Sequence, residues 1–124
     1  EIAAVGLSEE EALAEGRGVR ILRWPFAEND RAQAERRTEG FLKAMVDRKG
    51  RILGVVIVGH GAGELLTPWT LAMANRLPIG AFSAITFPYP TYSEASKRAA
   101  TAFLLPKLRN PWLQRLLRLV RRLG

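Results

Sequence analysis

Among 124 residues, the side chains best placed for chemistry lie in Phe87-Pro88-Tyr89-Pro90-Thr91-Tyr92-Ser93-Glu94. Two prolines around one tyrosine fix a turn, and a carboxylate follows five residues after the phenol, where a helix can begin. A phenol donates a hydrogen bond but is a poor base at neutral pH, because its ordinary pKa is about 10 against about 6.5 for imidazole. A carboxylate at a helix start has two readings. It can serve a reacting group, or it can favour the helix through the positive end of the dipole by about 0.3–1 kcal/mol. The turn therefore reads as half of an active site whose remainder lies elsewhere. His60, the single histidine, sits in the glycine-rich run Gly59-His60-Gly61-Ala62-Gly63-Glu64 and is read as a hydrogen-bonded surface residue, with Glu64 capping the helix that follows. One histidine with no cysteine offers no metal site.

The elements that must position this turn are legible in part. Ser8 and Glu11 form a capping box for a helix that stops at Gly16. Val19 to Pro25 mixes apolar residues with Arg20 and Arg23, a strand with one wet face, and residues 29–38 read as a helical turn or an extended connection. Phe41–Asp47 and Ile52–Gly59 read as antiparallel strands joined through Gly50, the second aliphatic enough to be central and covered on both faces. Ala62 to Arg76 reads as a helix between the sheet and another surface, Ala81 to Ile85 as a short turn, and Ser93 to Leu105 as a helix ended by Pro106. Helices with an antiparallel sheet make an α+β, two-layer sandwich.

Composition narrows the function. With 48% hydrophobic residues the chain can bury one core, but it is too short to add two nucleotide-binding domains, and no G-x-G-x-x-G follows a strand. Having no cysteine, it supplies neither member of a redox dithiol, and it fits a cytoplasmic setting. The net charge of +7 is misleading as a whole. Residues 1–96 carry 11 Lys/Arg against 12 Asp/Glu, whereas residues 97–124 carry 8 Lys/Arg and no acid. From Pro111 onward, Trp112, Leu113, Leu116, Leu117, Val120 and Leu123 share one side of a basic amphipathic helix. Packing on the domain or its dimer mate, lying at an anionic membrane surface, and docking to an acidic protein all fit that helix. Nucleic acid does not, since the rest of the chain is slightly acidic.

The order of motifs adds a resemblance. Ile2 to Ala12 is similar to a "VGLTEEEA" opening. Pro25-Phe26, Asn29-Asp30-Arg31-Ala32, Gly40-Phe41-Leu42-Lys43, Ile52-Leu53-Gly54, Ala62-Gly63-Glu64-Leu65 and Leu71-Ala72-Met73-Ala74 follow in sequence, and Pro88 to Glu94 resembles a closing "His-Pro-Thr-x-x-Glu". Together they resemble the C-terminal dimerisation domain of the pyridine nucleotide-disulfide oxidoreductases, over about residues 1–103. The resemblance implies a homodimer in which this turn reaches the partner's flavin site, with Tyr89 in the histidine position and Glu94 in that of the orienting glutamate. Pro88, Tyr89, Pro90 and Thr91 would contact the flavin. It also implies FAD- and NAD(P)-binding domains in a longer parent, of which this chain would be an excised or truncated C-terminal domain, inactive and cofactor-free alone. Residues 1–105 are then the dimerisation domain and 106–124 an appended helix. For Tyr89 three roles stand open: a donor to substrate, metal handling as in a mercuric reductase-like subgroup, or packing in the dimer seam. Trp69, Leu71, Phe82 and Phe87 are candidate interface groups, with core packing an equally good account of each, and a stand-alone interaction module with the same fold is the alternative to the enzyme.

Overall fold

In the computed structural model, residues 1–16, 18–112 and 114–115 are described. Four strands, β1 (Ile2–Gly6), β2 (Arg20–Pro25), β3 (Gly40–Val46) and β4 (Ile52–Gly59), form an antiparallel sheet in the order β1-β4-β3-β2. The helices are α1 (Glu9–Glu15), α2 (Asp30–Glu35), α3 (Ala62–Ala74), α4 (Ala81–Ala84) and α5 (Glu94–Leu108), with a 3₁₀ turn at Phe26–Glu28. The α+β sandwich expected from the sequence is therefore present, and β4 lies in the interior of the sheet.

The alternation of β3 and β4 decides which helices pack where. Leu42 pairs with Ile57 and Ala44 with Val55, and these side chains point to the face covered by α3 and α5, where the main core gathers around Trp69, Phe82 and Phe103. On the opposite face Ala12 of α1 packs on Met45 and Leu53, and Lys43 Nζ bonds Glu9 Oε2 at 2.6 Å. The helix-start reading is right in detail: Ser8 Oγ accepts from the Glu11 amide at 3.2 Å and Glu11 Oε2 from the Ser8 amide at 2.8 Å. Gly50 turns the β3–β4 hairpin at φ 89°, and a Cβ there would stand 3.0 Å from the Phe103 ring. Both facts favour glycine.

Several expectations change. Ile2–Gly6, read only as part of a motif, is an edge strand paired with β4 from Ile2↔Val58 to Gly6↔Gly54. Its two alanines hide the strand propensity that pairing supplies. Residues 29–38 contain a true helix, α2, and the turn after Gly80 is helix α4. Of the two readings open for Trp69 and Phe82, core packing holds: Trp69 is fully buried and stacks on Phe82 with centroids 4.2 Å apart. Phe87 is half-buried and stacks on Phe82 in turn at 6.4 Å, whereas Leu71 is 63% exposed.

Pro106 lies inside α5 instead of ending it. Proline has no amide hydrogen, so the Ala102 carbonyl loses its i→i−4 donor, a defect worth about 3 kcal/mol or more in a helix interior. Arg20 on β2 repairs it. Its Nη2 donates to the Ala102 carbonyl at 3.2 Å and its Nη1 to the Phe103 carbonyl at 2.9 Å, with the guanidinium 4.8 Å from the Phe103 ring centroid. Arg20→Met keeps the aliphatic stem and removes both donors. Urea unfolding should show a loss of about 1–3 kcal/mol, and a variant as stable as the native chain would mean that water satisfies these carbonyls equally well.

Past α5, Asn110 Oδ1 accepts from the Trp112 amide at 3.1 Å and helix resumes at Pro111. The apolar and basic stripe formed by Leu113, Leu116, Leu117, Arg118, Val120, Arg121, Arg122 and Leu123 lies outside the described residues. No described helix is long and apolar enough to cross a membrane.

Candidate functional site

The Pro88–Thr91 turn is held from both sides. Asn29, 3% exposed, caps α2 by accepting from the Ala32 amide at 3.0 Å, and its Nδ2 donates to the Thr91 carbonyl at 3.0 Å. One buried amide thus fixes a helix start with its oxygen and the turn with its nitrogen. Within the turn Thr91 Oγ1 donates to the Pro88 carbonyl at 2.7 Å, and the Tyr89–Pro90 bond is cis. Tyr92 anchors the far end: its ring meets Phe26 edge-on at 5.4 Å and His60 at 5.6 Å, and its hydroxyl donates to Glu35 Oε2 at 3.2 Å. Burial and Glu35 both hold the Tyr92 phenol above its usual range.

Tyr89 projects from this frame 70% exposed, and its hydroxyl donates to Asp30 Oδ2 at 2.8 Å. That hydrogen bond, and then the Asp30 charge, push the Tyr89 pKa above its ordinary 10, with a smaller push from Glu94. Glu94 is the first residue of α5, where its charge also suits the helix start, and among the described residues its side chain makes no hydrogen bond. The structure thus brings Pro88, Tyr89, Pro90, Thr91 and Glu94 to one corner, but the group bonded to the phenol is Asp30 of α2. Asn29 and Asp30 were visible in the sequence only as part of a landmark. The signal available was an Asn-Asp pair opening a helix, which marks a cap and not a partner 59 residues away.

A narrow cleft that includes Asp30, the phenol's partner, is lined by Trp24, Glu28, Asn29, Asp30, Glu94 and Arg98. Among the described residues Trp24 Nε1 is buried there without a hydrogen-bond partner, and the Arg98 guanidinium stands 5.8 Å from the Trp24 ring centroid.

The glycine-rich turn before α3 is built differently from a phosphate cradle. Glu1 Oε2 accepts from the Gly63 amide at 3.2 Å, and this hydrogen bond holds the Glu1 carboxyl below its usual range. A carboxylate already occupies the helix start where a pyrophosphate would sit. His60 is exposed, with its Nδ1 2.9 Å from Arg37 Nη1, a surface contact as expected. Glu64 does not cap α3: the cap position is Gly61, at φ 69°, and no side chain bonds the helix start from there.

A four-stranded sheet carrying a proline turn that feeds its last helix defines a known class of domain. Over residues 1–100 the chain matches the pyridine nucleotide-disulphide oxidoreductase dimerisation domain, and it belongs to that family. Among curated relatives it is 39% identical over 103 residues to mitochondrial dihydrolipoyl dehydrogenase of Caenorhabditis elegans, covering 82% of this chain and 21% of that protein. It is 37% identical over 101 residues to dihydrolipoyl dehydrogenase 3 of Pseudomonas putida, covering 81% and 22%. Among solved structures, LpdA from Mycobacterium tuberculosis superposes with a TM-score of 0.75 at 30% identity, over 82% of this chain and 22% of that one. The Cu(II) complex of the HOCl-induced flavoprotein disulfide reductase RclA from Escherichia coli gives 0.77 at 28% identity, over 82% and 23%. The chain therefore spans about a fifth of the length of the relatives it matches.

Proposed function

We propose that this chain is the dimer-forming unit of an FAD- and NAD(P)-dependent oxidoreductase, and that its Pro88–Thr91 turn, with Tyr89 and Glu94, completes the flavin site of the second subunit. The observation that carries this reading is the contrast within the turn. Its backbone is pinned by the buried Asn29, while Tyr89 at its tip stands free of the domain's core. A turn so held suits a group that must reach outward in fixed geometry, because positioning is lost if the support is loose. The chain's own residues do not fit a dinucleotide, since Glu1 fills the one glycine-rich helix start. The cofactor-binding residues would belong to other domains, with flavin supplying the electron transfer and this turn supplying only contacts at its edge.

The outer face of α3 supports the dimer. Leu66, Thr67, Thr70, Leu71 and Ala74 line a shallow, largely apolar groove beside Gly63. Its occupant in this reading is a second copy, which a two-fold axis along the helix would bring into self-contact. In the whole protein, Leu71→Arg should convert dimer to monomer by light scattering at micromolar concentration and lower turnover at least about 10-fold, a loss of about 1.4 kcal/mol or more. Its circular dichroism should stay native. A variant that remains dimeric and fully active would place the seam elsewhere.

A further inference from the structure

We propose that Asp30 is the positioning residue for Tyr89, and that the two act together as an oriented hydrogen-bond acceptor in the site the turn completes. The inference deepens the functional reading above and rests on it. The hydroxyl has one proton, and the 2.8 Å contact commits it to Asp30 Oδ2, leaving the oxygen lone pairs for an incoming group. Asp30 is itself fixed. Its backbone is that of the first residue of α2, directly after the buried Asn29, whose one side chain bonds both the helix start and the turn.

The charges that act on the phenol reinforce this polarity: they are Asp30 from α2 and Glu94 from α5. The adjoining cleft, which shares those two carboxylates, adds Glu28 from the 3₁₀ turn and Arg98 from α5. Arg31 is engaged by Glu35 on its own helix, and Arg98 stacks toward Trp24. The cleft that adjoins Asp30 and Glu94 therefore holds three carboxylates and one guanidinium. An acceptor backed by negative charge favours a donor or a cation and opposes an anion. With its phenol held protonated, the turn also cannot exchange a proton near neutral pH as an imidazole would. The substrate class that fits is a neutral or cationic acceptor of electrons bearing a hydrogen-bond donor, and the Tyr89 phenol is not its general base.

Two measurements test the pair. In the 124-residue chain with ¹³C-labelled tyrosine, Asp30→Asn should shift the Tyr89 phenol carbon and bring its titration back toward the ordinary value. A phenol signal indifferent to Asp30→Asn would overturn the contact. In the whole protein, with flavin content and dimer state checked for each variant, Tyr89→Phe and Asp30→Asn should each lower kcat/KM by about 10-fold, and the double variant by no more than about 10-fold, since both remove one unit. Tyr89→His should add an inflection between about pH 6 and 7 that the native profile lacks. Multiplying losses near 100-fold, or a native inflection near neutrality that disappears in Tyr89→Phe, would refute the joint role. If Tyr89→Phe leaves kinetics native, it is the active-site reading that fails, and the phenol titration still decides whether Asp30 holds Tyr89.

Discussion

Trp69→Ala is expected to destabilise the chain by about 3–5 kcal/mol, a third or more of the stability of an ordinary domain. Trp69 is fully buried, so truncation leaves a cavity between α3 and α5 instead of a dent that solvent can fill. Two specific contacts go with it. Its ring is stacked on Phe82 at 4.2 Å, and its Nε1 donates to Ser96 Oγ at 2.9 Å, with Ser96 itself 2% exposed. Removing the donor strands a buried hydroxyl, which adds about 1–3 kcal/mol to the packing loss unless water enters the space. Thermal unfolding should show the midpoint lowered by well over about 10 °C, since 1 kcal/mol corresponds to about 4–8 °C in a domain near this size. Trp69→Phe separates the parts, because it retains most of the apolar volume and loses the hydrogen bond. It should cost less than half as much. Equal losses for the two variants would mean that the hydrogen bond outweighs the packing.

Asn29→Asp carries the second large effect, through geometry as much as stability. The substitution keeps the oxygen that caps α2 and replaces the nitrogen that holds Thr91, setting a carboxylate oxygen against a carbonyl oxygen in a buried place. A charge-bearing mismatch of this kind should cost about 2–3 kcal/mol. Because the cap survives, amide exchange in α2 should change little while the amides of residues 91–94 exchange faster. If the turn completes a flavin site as proposed, turnover of the whole protein should fall as the turn loosens. Asn29→Ala, which loses both contacts, should accelerate exchange in α2 as well. If Asn29→Asp leaves residues 91–94 as protected as in the native chain, the turn owes its position to Tyr92 and its packing on Phe26 and His60.

These two residues show where sequence reasoning succeeds and where it stops. Asn29 sits before a helix and could be read as a cap from its neighbours alone; that its amide nitrogen would be spent on Thr91, 62 residues later, has no local signal. Trp69 belongs to a helix whose apolar residues are spread around its circumference, so periodicity could not say which face turned inward. The fold places Trp69 inside and Leu71 outside, and the two candidates for one interface part company. A sound local rule makes Pro106 a helix stop. The rule fails because Arg20, 82 positions before Ala102, supplies the donor that the Ala102 carbonyl lacks.

By itself the sequence determined the family, the α+β class, the capping box at Ser8 and Glu11, the β3–β4 hairpin through Gly50, and the corner formed by Pro88 to Glu94. Each rests on spacing within a few residues or on the order of short motifs, and neither depends on where distant segments lie. Tertiary structure alone decided that β1 completes the sheet edge, that Arg20 bridges the break at Pro106, and that the phenol of Tyr89 faces Asp30 rather than Glu94. Those outcomes are set by which side chains the packed sheet and helices bring within about 3 Å, the distance over which a hydrogen bond acts.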